Sequence, residues 1–214
     1  VRRPRADHRR IPERIMIQDH RSILLQQPVN WSSGLTRGLV SWWMALPDQQ
    51  RGLYFRDLCG RSPGTLTNMD PATDWVGPLG RQGGFGALEF ANASSNYVVV
   101  STADLIGNTF SIAAWVRPVT AAVTRNIFSG RNSVNGFHLR QSSASLQAHT
   151  NSSVVAQANS VFSASVWAHV AYVSNGDTEH AFYLNGRRLT LAIDTSVTWA
   201  SPLGHWIGYR NFGS

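Results

Sequence analysis

Apolar and polar residues alternate in short segments along most of the chain, and no segment has the convincing spacing of an amphipathic helix. The clearest alternation lies in residues 110–116 (FSIAAWV), where every second side chain would lie on one face of a strand. Residues 167–173 (WAHVAYV) are apolar at both parities, which is typical of a strand covered on both faces. The pattern therefore predicts short β-strands.

Turn-forming residues separate these segments at intervals of roughly ten residues. Asn185-Gly186 is the strongest hairpin signal, because both residue types accept a positive φ at low cost. Two further hairpins and an early strand are predicted, in residues 126–140, 146–157 and 39–46. About a dozen strands without a helix predict an all-β fold, a two-sheet antiparallel jelly-roll sandwich.

Charge changes the picture at one end of the chain. Every basic residue is Arg, the net charge is +7, and the Arg residues are concentrated before residue 28. We divide the chain into an extended basic arm or leader, residues 1–34, and a sandwich domain, residues 35–214. Met16 as the true start stays an alternative. Arm contacts with a partner are predicted for Arg2, Arg3, Arg5, Arg9 and Arg10.

The composition disfavours several function classes. No aromatic residues alternate with the Arg residues of the arm, so nucleic acid is not the expected partner. Cys59 is the single cysteine, so an intrachain disulfide is excluded, and it is expected to be a small apolar group in a loop. No apolar run has the length of a membrane span, and no signal peptide is visible.

Five motifs, taken in order, resemble laminin-G-like, concanavalin A-like jelly-roll domains of bacterial or phage type over residues 35–212. They lie in residues 38–43 (GLVSWW), 57–68 (DLCGRSPGTLTN), 86–90 (GALEF), 110–116 and 167–186. The resemblance implies a module that binds sugars, glycoproteins or other proteins, sometimes through calcium. Some relatives of this sandwich are glycosidases, and others belong to bacterial surface proteins or phage particles.

Two departures from the family pattern affect these expectations. Residues 91–96 (ANASSN) contain no carboxylate, where family members often carry an acidic stretch. The resemblance also implies a closing strand soon after Arg210, and the sequence stops at Ser214. We expect a domain without its closing strand, whether by truncation or because another chain supplies it. The resulting open sheet edge would be a template for pairing and a homo-oligomer or larger assembly.

Catalysis is not expected. A glycosidase needs two carboxylates that flank the scissile bond. Glu89 stands alone in its predicted strand, and the Asp177–Glu179 pair lies in a turn, where a solvated loop pair is the better interpretation. The sequence therefore predicts a protein that is not an enzyme, with a glycoside hydrolase as the less favoured alternative.

Metal binding is weakly supported. The loop of residues 130–135 (GRNSVN) offers the amide oxygens of Asn132 and Asn135, and Asp104 could add a carboxylate from a neighbouring loop. Arg131 would repel a cation, and calcium prefers several carboxylates. We predict no cofactor, and calcium at Asn132 and Asp104 stays the alternative. His169 is expected to be a buried, hydrogen-bonded strand histidine.

Tryptophan residues are the remaining candidates for ligand contact, because sugar rings stack on exposed aromatic faces. Trp42 and Trp43 are adjacent, so one must face the core and the other the outside. Core packing is the competing interpretation for most tryptophans. The predicted ligand-binding residues are Trp42, Trp75, Asn132, Asn135 and Trp199.

Two functions compete at this level. One is an adhesion module for glycans or a protein surface. The other is a structural or decoration component of a virion or surface assembly. Either implies an extracellular, cell-surface or virion location.

Overall fold

A computed structural model describes residues 32–45, 52–77, 86–91, 96–100, 105–107, 109–131, 136–176, 178–199 and 204–208. The chain divides into two compact units, residues 1–38 and 39–214. In the first unit the described residues contain one 3-10 turn, Gly34–Thr36. The predicted boundary after residue 34 stays a prediction. Within the described residues, no helix is long and apolar enough to cross a membrane.

The described part of the second unit is built from fifteen strands, and no α-helix occurs in it. The strands are β1 (Tyr54–Phe55), β2 (Gly64–Thr67), β3 (Trp75–Val76), β4 (Ala87–Leu88), β5 (Tyr97–Val100), β6 (Thr109–Val116), β7 (Thr124–Arg131), β8 (Phe137–Ser142), β9 (Ser145–His149), β10 (Val154–Ala158), β11 (Ala168–Asn175), β12 (His180–Leu184), β13 (Arg187–Arg188), β14 (Ile193–Asp194) and β15 (Gly204–Ile207). The all-β prediction is therefore confirmed.

These strands form two main antiparallel sheets and a small one. The nine-stranded sheet has the order β1-β2-β5-β15-β7-β8-β9-β10-β14, and the four-stranded sheet has the order β13-β12-β11-β6. β3 and β4 form the small sheet. The predicted hairpins are confirmed as β7–β8, β9–β10 and β11–β12. At the predicted turn after β12, Asn185 and Gly186 have φ values of 49° and 80°.

The main core lies between the nine-stranded and four-stranded sheets. Alternate residues of β8 and β9 turn inward, and they meet inward residues of β11 and β12. Buried members include Phe137, Leu139, Val170, Tyr172 and Phe182. The inward row of residues 110–116 packs against this core, as the alternation predicts. The other face of each main sheet points away from this core.

Two local predictions are wrong. Residues 39–45 do not form a strand; the segment is joined to its neighbour by one isolated bridge, Trp43 to Asp57. The reason is that the Asp57 side chain, rather than a strand, accepts the backbone N–H of Trp42 at 2.7 Å. In β11 one row of side chains is buried and the other is partly exposed, so this strand is not covered equally on both faces.

Candidate functional site

The outward side of the nine-stranded sheet carries polar side chains in two rows that cross the strands. Strand register places the members of each row directly opposite one another on successive strands. We call these eight residues the polar face. The first row is Trp206, Ser129, His138 and His149, and the second is Asn126, Arg140, Gln147 and Gln157.

Hydrogen bonds fix the second row. The Arg140 Nε donates to Gln147 Oε1 at 2.9 Å, and Gln147 Nε2 donates to Gln157 Oε1 at 2.6 Å. Gln157 Nε2 then donates to Asn159 Oδ1 at 2.6 Å, an oxygen that also accepts from Ser145 Oγ. The amides of Gln147 and Gln157 are therefore each held in one orientation before any ligand arrives. Arg140 and Gln157 are partly exposed and Asn159 is exposed, whereas Asn126 and Gln147 are buried, so solvent reaches this row at Arg140, Gln157 and Asn159.

The first row is buried at every member except Trp206, since Ser129 is 3% exposed. His138 and His149 are buried, and His138 Nε2 lies 3.4 Å from Asn151 Oδ1. Burial lowers the pKa of His138 to about 4, against the opposing effect of the Asn151 hydrogen bond. The His138 imidazole is therefore neutral at pH 7 and has one N–H donor and one acceptor nitrogen.

Trp206 ends the first row on β15. A Cβ atom at Gly204 would lie 3.2 Å from the Trp206 Cη2 atom, so the missing side chain of Gly204 leaves room for the indole ring over the backbone. Trp206 is partly exposed. The polar face thus combines amide, imidazole and guanidinium groups with an aromatic ring, and its eight residues include no carboxylate.

The outward side of the four-stranded sheet is different in character. Trp115 is 45% exposed, and its ring lies 5.2 Å from the His169 ring, centroid to centroid. Register places Ala113 opposite Ala171 and Ala171 opposite Tyr183. Tyr183 is in turn opposite Arg188. We call this surface the aromatic face. Its members are Trp115, His169, Ala113, Ala171, Tyr183 and Arg188.

The tryptophans predicted to contact a ligand differ in their exposure to solvent. Trp42 is 43% exposed, while Trp43 packs against the core and donates its indole N–H to the Ser62 carbonyl at 2.7 Å. The prediction that these neighbours face opposite sides is confirmed. Trp42 is therefore an exposed aromatic residue that belongs to neither of the two faces defined above.

The prediction that Trp75 and Trp199 contact a ligand is wrong. Both are buried, at 7% and 3% exposure, so neither offers an aromatic face to a sugar ring. Trp75 lies in the second apolar cluster and donates its indole N–H to the Gly52 carbonyl at 2.8 Å. Trp199 belongs to the main core.

Other predicted site residues lie outside the described residues. These are Asn132, Asn135, Asp104, Asp177 and the arm residues Arg2, Arg3, Arg5, Arg9 and Arg10. Among the residues that are described, no group of three or more His, Cys, Asp or Glu side chains could hold a metal ion.

The prediction that His169 is a buried strand histidine is also wrong, because its side chain is partly exposed and lies on the aromatic face instead of in the core. The alternation of β11 places Val170 and Tyr172 inward, which turns His169 outward. Glu179 is exposed, accepting a hydrogen bond from Asn175 Nδ2 at 2.8 Å, and Glu89 is exposed just after β4.

The polar face and Trp206 were missed at the sequence level. Ser129, Gln147 and Gln157 are ordinary polar positions of alternating strands, and no motif marks them. Only the register between five strands brings them into rows. The available signal was the parity of residues 137–149, which separates Phe137 and Leu139 from His138 and Arg140.

Similar proteins support the architecture. Domain 4 of AbnA, an extracellular arabinanase from Geobacillus stearothermophilus whose structure contains arabinotriose, has a TM-score of 0.54 and 14% identity, over 80% of this chain and 86% of that one. The binding domain of Paraclostridial Mosquitocidal Protein 1 has a TM-score of 0.53 and 12% identity. The match covers 80% of this chain and 44% of that one.

Trypanosoma rangeli sialidase matches with a TM-score of 0.53 and 14% identity, over 81% of this chain and 28% of that one. This chain therefore spans less than half the length of the last two structures. At such identities these likenesses show the fold alone. A comparison with curated proteins finds no match.

A family model identifies the family, whereas the structural likenesses show only the fold. The model Laminin_G_3, described as the concanavalin A-like lectin/glucanases superfamily, matches residues 92–214. That segment is more than half of the chain and contains β5 to β15, which include the whole four-stranded sheet and most of the nine-stranded one. The chain therefore belongs to the Laminin_G_3 family of concanavalin A-like domains.

Proposed function

We propose that this chain is a non-catalytic carbohydrate-binding module that holds an oligosaccharide on its polar face. The observation that carries the proposal is the hydrogen-bonded row from Arg140 through Gln147 and Gln157 to Asn159. Sugars present many hydroxyl groups, each of which both donates and accepts. A fixed row of planar amide and guanidinium groups matches that chemistry, because its donors and acceptors need no reordering on binding.

The remaining features of the polar face are consistent with the same ligand. Trp206 supplies an aromatic surface beside the polar groups, as sugar stacking requires. Each row crosses four strands, and neighbouring strands are about 4.8 Å apart, which suits a chain of several sugars more than a single one. The arabinanase domain named above was solved with arabinotriose, which makes that trisaccharide a reasonable first probe.

Binding without hydrolysis is supported by the residues of the polar face. Hydrolysis by the usual mechanism needs a pair of carboxylic acids about 5–9.5 Å apart. The polar face has none among its eight residues, and Glu89 and Glu179 are exposed residues of other strands and turns. A turnover assay with the oligosaccharide that binds should therefore detect no product.

The proposal predicts the effect of breaking the polar row. Gln147→Leu keeps the size of the side chain but leaves Arg140 Nε and Gln157 Oε1 without their partner. We expect it to weaken oligosaccharide binding about tenfold, and Trp206→Ala to weaken it by at least as much. Calorimetric titration with arabinotriose and other linear neutral oligosaccharides, chosen from a glycan array, measures both variants.

Trp42→Ala is the matched control, since Trp42 is an exposed tryptophan that is not one of the eight residues of the polar face. It should bind as the unchanged protein does, with circular dichroism confirming that each variant is folded. A glycan array without hits for the folded protein would refute the proposal. Loss of binding in Trp42→Ala alone would move the site to Trp42, where the sequence placed it.

A second candidate function, as a subunit of a larger assembly, is favoured by the edge of β6. Among the described strands, this eight-residue strand pairs only with β11, over its full length and without a register shift. It contains no charged residue and no proline, the usual protections of an edge strand. Such an edge favours strand pairing between chains.

This candidate predicts an oligomer that a charge on the edge dissociates. Ser111→Lys places like charges near each other across a paired β6 edge, so light scattering should report a shift from oligomer to monomer. Ser163→Lys, at an exposed position outside the strands, should leave the mass unchanged. A monomer for the unchanged protein at physiological salt would rule out assembly through this edge.

A further inference from the structure

Two loops at one end of the four-stranded sheet expose apolar side chains to solvent. Residues 117–123 follow the end of β6, and residues 163–166 come shortly before β11. We call these two loops the valine tip. Val119 is 76% exposed, the highest value among the large apolar side chains of the described residues, and Val166 is 54% exposed. A single exposed valine is ordinary, but a contiguous apolar surface marks a site of interaction.

Hydrogen bonds join the two loops of the valine tip. The Ser165 N–H donates to the Pro118 carbonyl at 2.6 Å, and the Arg117 Nε donates to the Ser165 carbonyl at 3.0 Å. Val119 directly follows Pro118, and Val166 directly follows Ser165. Both exposed valines are therefore next to the residues that tie the loops together, and they lie at the same end of the sheet.

Each loop is also anchored to the sandwich. Val161 and Phe162, just before the second loop, are buried in the main core, and their N–H groups donate to the Ala144 carbonyl at 2.8 and 3.0 Å. In the first loop, the Thr120 carbonyl accepts a hydrogen bond from the buried Gln141 Nε2 at 2.9 Å. The valines are thus presented on a fixed backbone, so little conformational entropy is lost when a partner covers them.

Charge favours an anionic surface as the partner of the valine tip. Neither loop contains an acidic residue, and Arg117 is exposed in the first one. Glu179 lies beyond the other end of β11, where its carboxylate accepts a hydrogen bond from Asn175 Nδ2. Because β11 is eight residues long, that negative charge is roughly 23 Å from the tip along the strand. Asp194 lies on β14, the edge strand of the other sheet.

A bilayer suits this surface better than a protein partner does. A stable protein interface buries about 800 Å² on each partner. The valine tip offers two large apolar side chains at the end of a sheet, which is a much smaller area. Shallow insertion into a bilayer needs only a few apolar side chains beside cationic groups that stay at the level of the lipid phosphates. The long Arg117 side chain can reach those phosphates while the valines enter the acyl boundary.

We propose that the valine tip is a membrane-docking site, which inserts Val119 and Val166 into an anionic phospholipid bilayer and holds Arg117 among the headgroups. The site uses none of the eight residues of the polar face. It therefore stands or falls independently of the function proposed above.

Vesicle sedimentation with charge-matched variants tests this site. The Arg residues concentrated before residue 28 attract any anionic vesicle, so each variant is compared with a control that changes the charge equally. Leu53→Asp is the control for the valines, because Leu53 is 52% exposed and directly precedes β1 in the other sheet. On phosphatidylcholine vesicles with about 30% phosphatidylserine, Val119→Asp and Val166→Asp should each bind at least tenfold more weakly than Leu53→Asp.

Salt and lipid charge separate the apolar contribution from the cationic one. Raising the salt from about 0.1 M to about 0.5 M should weaken binding of every variant, but the difference between Val119→Asp and Leu53→Asp should remain, because salt does not screen apolar burial. Arg117→Gln should bind the anionic vesicles about fivefold more weakly than Arg56→Gln, a matched change at another exposed arginine. The same two variants should not differ on vesicles of phosphatidylcholine alone.

Three outcomes contradict the proposal. If the unchanged protein sediments with neither kind of vesicle, the tip does not dock on membranes. If Val119→Asp, Val166→Asp and Leu53→Asp bind equally, with circular dichroism showing that all are folded, any membrane contact lies elsewhere. If Val119→Asp converts an oligomer to a monomer in light scattering without vesicles, the tip instead joins copies of this chain.

Discussion

Asp57→Ala is expected to lower the free energy of unfolding by about 3–5 kcal/mol. The Asp57 carboxylate is buried, and it accepts four backbone N–H groups. Trp42 and Cys59 donate to Oδ1 at 2.7 and 2.9 Å, while Arg61 and Ser62 donate to Oδ2 at 3.0 and 2.9 Å. Alanine leaves these donors without their acceptor, and a buried unsatisfied donor costs about 1–3 kcal/mol.

The consequences extend beyond one loop. Asp57 joins the segment that contains Trp43 to the loop before β2, and Trp43 packs on Phe128 with ring centroids 6.4 Å apart. Without the carboxylate, the Trp42 N–H loses its acceptor, and the segment keeps only the bond from the Leu58 N–H to the Trp42 carbonyl, the bond from the Gly86 N–H to the Ala45 carbonyl, and the contacts of Trp43. Urea unfolding followed by circular dichroism measures the loss.

Asp70→Ala is the matched control for this prediction. Asp70 also accepts a backbone N–H, from Ala72 at 2.8 Å, but it is exposed, so water can replace it. Its loss should cost less than about 1 kcal/mol. If the two variants were equally stable, the carboxylate of Asp57 would not be what holds the segment.

Acid should weaken the same interaction. Burial raises the pKa of Asp57, but the four backbone hydrogen bonds together outweigh it, so the pKa lies below its usual 3.8. A carboxyl group with a lowered folded pKa stabilises the fold fully above the unfolded value and loses that contribution as the pH falls through the folded one. The stability gap between the unchanged protein and Asp57→Asn should therefore be constant near neutrality and shrink below pH 3.8.

The sequence predicts the sandwich because strand alternation is a local property. Residues 110–116 and the hairpin around Asn185-Gly186 carry the information for their own strands and turn, and both are confirmed. The segment of residues 39–45 shows the limit of that logic. Its apolar residues read as a strand, but Asp57, fifteen residues from Trp42, takes the hydrogen bond that a strand partner would otherwise accept.

The two candidate faces are less visible in the sequence. Gln147 and Gln157 are ten residues apart and meet only because β9 and β10 pair in one particular register. Trp115 is on the outward parity of a predicted strand, so its exposure could have been read from the alternation. Which neighbours surround it depends on the pairing of β6 with β11 and β12.

Trp199 shows why aromatic residues near loops are hard to assign. It follows β14 in a segment without regular structure, so no alternation indicates which way the side chain points. In the structure it packs edge-on against Phe137, with ring centroids 5.0 Å apart, and its indole N–H donates to Ser174 Oγ at 3.2 Å. Phe110 and His180 also lie beside the ring.

Trp199→Ala is therefore expected to lower the free energy of unfolding by about 3–5 kcal/mol, because it removes a large buried side chain and leaves a cavity in the core. Trp199→Phe keeps most of the volume and should cost about 1–2 kcal/mol, chiefly through the lost hydrogen bond to Ser174. Trp42→Ala, at 43% exposure, should change stability by less than about 1 kcal/mol. Urea unfolding followed by far-ultraviolet circular dichroism measures the free energy of unfolding of the three variants. A Trp199→Ala protein as stable as Trp42→Ala would mean that Trp199 is not part of the core, and its predicted role in ligand contact would then return.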